Sequence, residues 1–145
     1  MRTVIMCIVF RKESDTEFLL LKRVPDKGAF WQPVGGAVEE YDETVLDAGY
    51  REMMEEAGIR KKDVLNVLKD VHQFEFDKHY LTGEPIPKEK VHVYAFEVRP
   101  EVEIHIHSNQ DEEHEDFGWF SYDEAMEKLY WPNNKDAFEK LRGIL

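Results

Sequence analysis

The chain has 145 residues, of which 42% are hydrophobic and 34% are charged, so we expect one globular domain over residues 1–145. A formal net charge of −12 without a basic stripe argues against a surface that binds duplex nucleic acid. No apolar run is long enough to span a bilayer, and Cys7 is the only cysteine, so we expect no membrane partner, no internal disulfide and a cytoplasmic location.

Hydrophobic patterns along the chain predict a mixed α and β fold. The predicted strands are residues 4–10, 18–23, 71–76 and 91–98, and the predicted helices are residues 43–57, 123–130 and 135–141. The first two strands are almost continuously apolar, which indicates burial on both faces. Residues 101–107 alternate apolar and polar side chains as a strand does, and Gly83, Pro85 and Pro87 predict a loop.

The helix predicted over residues 43–57 carries an unusual acidic face. Glu52, Glu55 and Glu56 fall within about one turn, opposite an apolar side, and Gly58 follows as a residue that can end the helix. Three carboxylates this close repel one another unless a cation neutralises them. Carboxylate-rich sites suit Mg²⁺ or Mn²⁺, which in turn suit phosphate chemistry. A merely solvated acidic face is the alternative.

Two consecutive glycines precede this helix. Gly35 and Gly36 lack a Cβ, so their backbone can approach a ligand or a metal ion closely and expose carbonyl oxygens to it. The pair lies in a segment that also contains Phe30, Trp31 and Gln32.

The stretch from Gly36 to Ile59 resembles the Nudix box, in which a glycine, five residues, a glutamate and seven residues precede Arg-Glu-U-x-Glu-Glu-x-Gly-U, U being bulky and apolar. The positions that fit the second half of the box are Arg51, Glu52, Met53, Glu55, Glu56, Gly58 and Ile59. So many fixed positions make a specific signal. The resemblance implies the Nudix fold, a mixed β-sheet between α-helices.

The spacing departs from the box at one point. Six residues separate Gly36 from Glu43, which we interpret as one extra residue in the loop at residues 40–42. The extra residue leaves open whether Gly35 or Gly36 offers its carbonyl to a metal ion. We expect Arg51 to pair with Glu43 and hold the loop against the helix, because a guanidinium binds a carboxylate bidentately.

A second, looser resemblance concerns the branch of the family that hydrolyses dATP-type nucleoside triphosphates or dihydroneopterin triphosphate. It rests on Trp31-Gln32, Glu113-His114, Trp119, Glu124-Ala125 and the run from Trp131 to Ala137. Branches that act on dinucleoside polyphosphates or on RNA 5′ ends share parts of this pattern. A nucleotide-sensing Nudix module without catalytic activity is the alternative of another class, although such modules usually lack the box carboxylates.

The family resemblance implies a Mg²⁺-dependent hydrolase, with Mn²⁺ as a substitute, that releases a monophosphate and pyrophosphate. Cations neutralise phosphate oxygens and lower the pKa of an attacking water. Glu52 and Glu56 are the implied metal ligands, and Glu55 shares their cluster. Glu113 is either a further ligand or a general base, unless it belongs only to the solvated acidic run around it.

Substrate-binding residues are predicted on both sides of the box. Arg23 or Lys22, at the end of a strand, could meet phosphates, and Trp131, Tyr130 or Phe30 could stack on a base, although core aromatics are commoner. Trp31 and Gln32 are further substrate-binding candidates, as is His114, which could instead tune Glu113. Exposed aromatic side chains would permit a homodimer without requiring one.

Overall fold

A mixed β-sheet forms the centre of the protein in this computed structural model, which describes residues 1–79, 81–106 and 113–145. Its strands in this part of the chain are β1 (Arg2–Lys12), β2 (Thr16–Arg23), β3 (Trp31–Gln32), β4 (Val34–Ala37), β5 (Val64–Lys78), β6 (Pro85–Val98) and β7 (His114–Phe120). The order across the sheet is β3-β2-β1-β6-β5, while β4 pairs with β1 and β7 pairs with β2. The β1–β6 pair is parallel and the others are antiparallel.

Strand β1 supplies both hydrophobic cores of the protein. Ile5, Cys7 and Val9 belong to one buried cluster, whereas Ile8 and Phe10 belong to the other. Because successive side chains of a strand point to opposite faces, a continuous apolar run fills both sides of the sheet. The predicted burial of the first two strands on both faces is confirmed.

Helices cover both faces of the sheet. Helix α1 (Val45–Ala57) packs on the cluster of Ile5, whereas α2 (Tyr122–Lys128) and α3 (Pro132–Ile144) pack on the cluster of Phe10. The predicted arrangement of a mixed sheet between helices is therefore confirmed. None of the helices in the described residues is long and apolar enough to cross a lipid bilayer.

Both ends of α1 are set by local hydrogen bonds. The Thr44 hydroxyl accepts the Asp47 N–H at 3.1 Å, which satisfies a free donor of the first turn and starts the helix at Val45. Gly58 adopts the left-handed conformation with φ of 70° and donates its N–H to the Met54 carbonyl at 3.1 Å. The helix predicted over residues 43–57 therefore starts two residues later and ends where expected.

The strand predictions were incomplete. Strands β3, β4 and β7 were not predicted, because they are short or contain glycine and carry little alternation. The loop predicted at Gly83, Pro85 and Pro87 is confirmed at Gly83 but wrong at the two prolines, which lie in β6. Pro85 is the first residue of that strand, where a missing N–H costs no hydrogen bond inside the sheet.

The strand predicted over residues 101–107 does not form in its described part, residues 101–106; His107 lies outside the described residues. The apolar side chains of Val102 and Ile106 are nevertheless buried in the core beside α1. The His105 N–H donates to the Ala57 carbonyl at 2.8 Å, so this segment bonds to the end of a helix instead of a neighbouring strand. The alternation of apolar and polar residues in this segment therefore reflects burial of the apolar side chains and not pairing with a strand.

The close approach of α1 to the sheet depends on Gly49, and we predict that a large side chain there destabilises the protein. A Cβ at Gly49 would lie 3.1 Å from the Phe96 ring, whereas nothing lies within 4 Å of a Cβ at Gly143, which is also helical. Gly49→Leu should lower the free energy of unfolding by about 1–3 kcal/mol or more through overpacking. In urea denaturation Gly143→Leu, the control, should be neutral or slightly stabilising. Equal effects of the two substitutions would contradict this packing.

Candidate active site

Two of the three box glutamates on α1 have buried side chains. Glu52 and Glu56 are 8% and 4% exposed, whereas the side chain of Glu55 remains 47% exposed. The expectation that all three glutamates lie across from the buried side of the helix is therefore wrong for Glu52 and Glu56. The buried side of α1 includes both apolar residues and these two glutamates.

The two glycines of β4 accommodate these carboxylates in different ways. A Cβ built on Gly36 would overlap the carboxylate of Glu52, so only glycine leaves room for it. The Gly35 N–H donates to Glu56 Oε1 at 2.9 Å. Glu52 and Glu56 therefore contact different glycines of β4.

The pairing of β4 with β1 also separates the two glycine carbonyls. The Val38 N–H donates to the Thr3 carbonyl at 2.9 Å, and Gly36 stands opposite Ile5. Hydrogen-bonded and non-hydrogen-bonded pairs alternate along an antiparallel ladder, so Gly36 bonds with β1 while Gly35 does not. Because the N–H and C=O of one strand residue lie on the same edge, the Gly35 carbonyl lies on the edge that faces Glu56. Of the two glycine carbonyls, the one at Gly35 is therefore not used in the pairing of β4 with β1.

Arg51 holds the loop before the helix, but through a different carboxylate from the one expected. Its Nη2 lies 2.8 Å from Asp42 Oδ2 and its Nε lies 3.1 Å from Asp42 Oδ1, a bidentate pair. The predicted pairing with Glu43 is wrong, since Glu43 is exposed and forms none of the ion pairs of Arg51 in the described residues. The same guanidinium contacts the carbonyl of Ala37 at 3.0 Å and Glu52 Oε1 at 2.9 Å.

A turn at residues 39–42 accounts for the pairing of Arg51 with Asp42. The Asp42 N–H donates to the Glu39 carbonyl at 3.0 Å, and Asp42 Oδ2 accepts the Glu39 N–H at 2.8 Å. These bonds close a tight turn that directs Asp42 toward Arg51. This turn therefore brings Asp42, and not Glu43, to Arg51.

Two further side chains that can bind a metal ion lie close to Glu56. They belong to Glu113, which directly precedes β7, and to His114, the first residue of β7. Glu113, Glu56 and His114 each offer one ligand atom, and these atoms lie within 4.8 Å of one another. The Glu113 carbonyl accepts the N–H of Val24 at 3.0 Å, which fixes this residue beside the end of β2. His114 is only 2% exposed, and its Nε2 lies 3.2 Å from the side-chain nitrogen of Gln32.

Burial disfavours the charged forms of this cluster. Burial raises the pKa of Glu52 to about 7, against the opposing charge of Arg51, and Glu55 and Glu113 add to the rise. Burial also raises the pKa of Glu56 well above its ordinary value, although the Gly35 N–H opposes this. Burial, with the positive charges of Arg23 and Lys27, lowers the pKa of His114 to about 4, so its imidazole is neutral at pH 7.

A cavity of about 850 Å³ adjoins the carboxylates. It is bounded by residues that touch the acidic cluster, namely Gly35, Gly36 and Gln32, and by Arg23. Its other walls come from the β5–β6 hairpin and from the start of α3. The cavity is large enough for a nucleotide-sized ligand.

Aromatic rings form one wall of this cavity. Phe30 and Tyr130 are stacked with centroids 6.0 Å apart, and Trp131 meets Phe30 edge-on at 5.5 Å. Phe74 and Phe76 line another part, and sequence patterns had marked them only as strand residues. The side chain of Asn134, at 7% exposure, lines the cavity as well and was not predicted to contribute.

Not all predicted substrate-binding residues reach the cavity. Arg23 and Trp131 line it, as does Gln32, whereas Lys22 pairs with Glu115 at 3.3 Å. Trp31 is not among the residues that line this cavity, and its partly buried ring packs edge-on against Phe120 at 5.3 Å; its role in substrate binding stays a prediction. His114 is buried and is not among the residues that line the cavity, and its Nε2 lies 3.2 Å from the side-chain nitrogen of Gln32; its contact with substrate stays a prediction.

The donor set fits a divalent cation. Glu52, Glu56 and Glu113 bring three carboxylates to one place, and the first two are largely removed from water. Buried carboxylates that repel one another are stabilised when a cation neutralises them, and their oxygens are the ligands that Mg²⁺ and Mn²⁺ take. The room that Gly36 leaves beside the Glu52 carboxylate agrees with this.

We predict that Asp42, and not Glu43, contributes to stability through Arg51. The Asp42 side chain is 5% exposed, and the hydrogen bonds from Arg51 hold the pKa of its carboxyl below the usual range. Asp42→Asn should lower the free energy of unfolding by about 1.5–3 kcal/mol at pH 7, as loss of hydrogen bonds between charged groups does. Glu43→Gln should leave it nearly unchanged. A larger effect of Glu43→Gln in urea denaturation would restore the original pairing.

The raised pKa of Glu52 predicts a loss of stability with rising pH in the absence of metal ions. Between the ordinary value of 4.5 and about 7 the folded protein keeps a proton that the unfolded chain releases. The contribution of Glu52 to the free energy of unfolding should therefore be largest below pH 4.5. It should fall by up to about 3 kcal/mol toward pH 8. The raised pKa of Glu56 adds to this fall and the lowered pKa of His114 opposes it, so the contribution of Glu52 is read from denaturation in EDTA as the difference between wild type and Glu52→Gln. The stability of Glu52→Gln relative to wild type should rise from pH 5 to pH 8, and a divalent cation should stabilise the wild type more at pH 8 than at pH 5. A difference between the two proteins that does not change with pH would contradict the assignment.

Comparisons with known proteins agree with this fold. A protein named octanoyltransferase from Myxococcus xanthus is 29% identical over 140 residues, 97% of this chain; the chain spans only 36% of that relative's length. The fold is similar to a binary complex of Caenorhabditis elegans Ap4A hydrolase, with a TM-score of 0.76, 19% identity and coverage of 99% and 97% of the two chains. It is also similar to Escherichia coli dihydroneopterin triphosphate pyrophosphohydrolase, with a TM-score of 0.75, 23% identity and coverage of 95% and 92%. At these identities the two structures establish the fold.

A family model gives the more specific result. The model described as the NUDIX domain matches residues 1–141, almost the whole chain. The match includes Glu52, Glu55 and Glu56 on α1 and the glycines that receive them. The chain therefore belongs to the NUDIX family, and it keeps the three carboxylates of the box.

Proposed function

We propose that this protein hydrolyses a phosphoric anhydride bond in a nucleoside triphosphate-like substrate, such as dATP or dihydroneopterin triphosphate, with Mg²⁺ or, in its place, Mn²⁺. The observation that carries the proposal is the position of the buried pair Glu52 and Glu56 at the edge of an aromatic-lined cavity. An acidic cluster alone would repel a triphosphate, and an aromatic cavity alone would not act on it. Their contact through Gly35 and Gly36 brings the two together.

The carboxylates form the reactive end of the site. When bound, divalent cations neutralise phosphate oxygens and lower the pKa of water. Glu52 and Glu56 would hold them, together with Glu113 and the Gly35 carbonyl, while Arg51 fixes Glu52 at 2.9 Å. Water attacks a bridging phosphate, its oxygen bonds to phosphorus, the bridging P–O bond breaks, and a monophosphate and pyrophosphate leave. The proton of the water passes to a carboxylate of this group.

Arg23 supports the binding of phosphates beside the carboxylates. It lines the cavity, donates from Nε to the Lys27 carbonyl at 3.1 Å, and holds its guanidinium 5.7 Å from the centre of the Phe30 ring. A guanidinium binds phosphate oxygens with a fixed fork of donors. Arg23 therefore joins the phosphate end of the cavity to the aromatic end.

The aromatic end of the cavity suits a base or a pterin ring. Phe30 and Trp131 offer apolar ring surface for stacking. The nearby Asn134 amide carries both donors and an acceptor, which is what recognition of the polar edge of a heterocycle requires. The single buried cysteine, Cys7, agrees with a reducing compartment, and we propose a cytoplasmic location.

A variant of Glu56 tests the metal assignment. Glu56→Gln keeps the shape of the side chain and the acceptor for the Gly35 N–H but removes the negative charge. We expect Mg²⁺-dependent turnover to fall by about two orders of magnitude or more. Glu43→Gln, an exposed position of the same segment, should keep wild-type turnover. Undiminished Mg²⁺-dependent turnover of folded Glu56→Gln would overturn the assignment.

A substrate panel tests the proposed chemistry. Release of pyrophosphate and phosphate should be measured for nucleoside triphosphates, a pterin triphosphate, dinucleoside polyphosphates, 5′-triphosphorylated RNA and nucleotide sugars. Pyrophosphate from dATP or the pterin triphosphate is the expected result. Selective cleavage of dinucleoside polyphosphates or RNA ends would replace the substrate class. Nucleotide binding without any cleavage would indicate a sensing module instead of an enzyme.

A further inference from the structure

One of the carboxylates on α1 shares its surroundings with a histidine. The ligand atoms of Glu56, Glu113 and His114 lie within 4.8 Å of one another, and within the described ranges this is the one group of three or more His, Cys, Asp or Glu side chains placed in this way. Opposite ligands of an ion that bonds each at about 2.2 Å are separated by about 4.4 Å. The three side chains are therefore spaced to share one ion with little rearrangement.

The surroundings of His114 fit a ligand better than a substrate contact. The side chain is 2% exposed and begins β7, where the register places it opposite Arg23 of β2. Like Glu56 and Glu113, it is not among the residues that line the cavity. Its ligand atom lies close enough to those of the two acids to meet the same ion.

Gln32 supplies the supporting contact that histidine ligands usually have. Its side-chain amide lies 3.2 Å from His114 Nε2. The amide oxygen and nitrogen are interchangeable by a flip, so Gln32 can either donate to the ring or accept from it. A hydrogen bond to one ring nitrogen fixes the tautomer and orientation with which the other nitrogen meets a metal ion.

We propose that His114 is a nitrogen ligand of the metal centre, and that Glu56, Glu113 and His114 form a position that takes a divalent transition-metal ion in preference to Mg²⁺. Mg²⁺ strongly prefers oxygen ligands, whereas imidazole nitrogen strengthens the binding of first-row transition-metal ions. Glu52 lies outside this group of three, beside Gly36, and its carboxylate oxygens remain ligands that suit Mg²⁺. The proposal deepens the proposed function and rests on it for the presence of a metal centre.

Electron spin-echo envelope modulation of bound Mn²⁺ tests the nitrogen ligand directly. Mn²⁺ added to the metal-free protein should show modulation from a directly coordinated nitrogen-14 nucleus. Protein made with nitrogen-15-labelled histidine should lose this signal and show that of nitrogen-15. Mn²⁺ that binds without any nitrogen coupling would overturn the proposal, as would a failure of Mn²⁺ to bind.

Substitution assigns the signal to one histidine. His114→Asn should abolish the nitrogen coupling and weaken Mn²⁺ binding by about tenfold or more, with a much smaller change for Mg²⁺. His92→Asn is the matched control, because His92 also contacts a carboxylate, Asp70 at 2.6 Å, but has no second acid in a metal-binding group of the described residues. It should leave the coupling and both affinities unchanged. Persistence of the coupling in His114→Asn would overturn the proposal.

The result can be separated from that of the proposed function. If His114→Asn does not fold, the labelled wild-type protein still reports whether a histidine is bound to the ion. Pyrophosphate release with Mg²⁺ but no nitrogen coupling would leave the hydrolase in place and remove the nitrogen ligand. Nitrogen coupling without pyrophosphate release would do the reverse.

Discussion

The contact of α1 with the glycine edge of β4 is the constraint on which the rest of this structure depends. Glu52 occupies the space that a side chain at Gly36 would fill, and Glu56 accepts the Gly35 N–H at 2.9 Å. This packing removes two acids from water, which costs free energy unless a positive charge compensates them. Arg51 compensates Glu52 in part, at 2.9 Å, and its own position is fixed by Asp42. The protein therefore maintains a site of buried negative charge that a bound cation would stabilise.

The fold places this charged contact beside a chemically different region. On one side lie the carboxylates, and on the other an aromatic cavity of about 850 Å³ that is lined in part by Arg23. A ligand that satisfies both parts needs an anionic end and a flat apolar end. This requirement, more than the family resemblance, is the physical reason to expect a nucleotide-like or pterin-like triphosphate.

The sequence predicted the box helix well because its signals are local. A hydroxyl before the helix, an apolar stripe along it and Gly58 at its end each act within a few residues. Sequence reasoning failed where the outcome depends on distant partners. Whether Asp42 or Glu43 meets Arg51 is decided by a turn of the backbone, and whether Trp31 faces the cavity is decided by Phe120. The cavity residue Asn134 could not be found for the same reason, since the surroundings that give it meaning come from elements far apart in the chain.

The central claim is that the buried carboxylates of α1 hold a divalent cation, and a crystal of the protein grown with Mn²⁺ tests it most directly. Anomalous scattering locates the ion without reference to any assumed site. We expect an anomalous difference peak at coordination distance from Glu52 and Glu56, with the Gly35 carbonyl on the same side. Mn²⁺ bound elsewhere, with these two carboxylates free of it, would contradict the account.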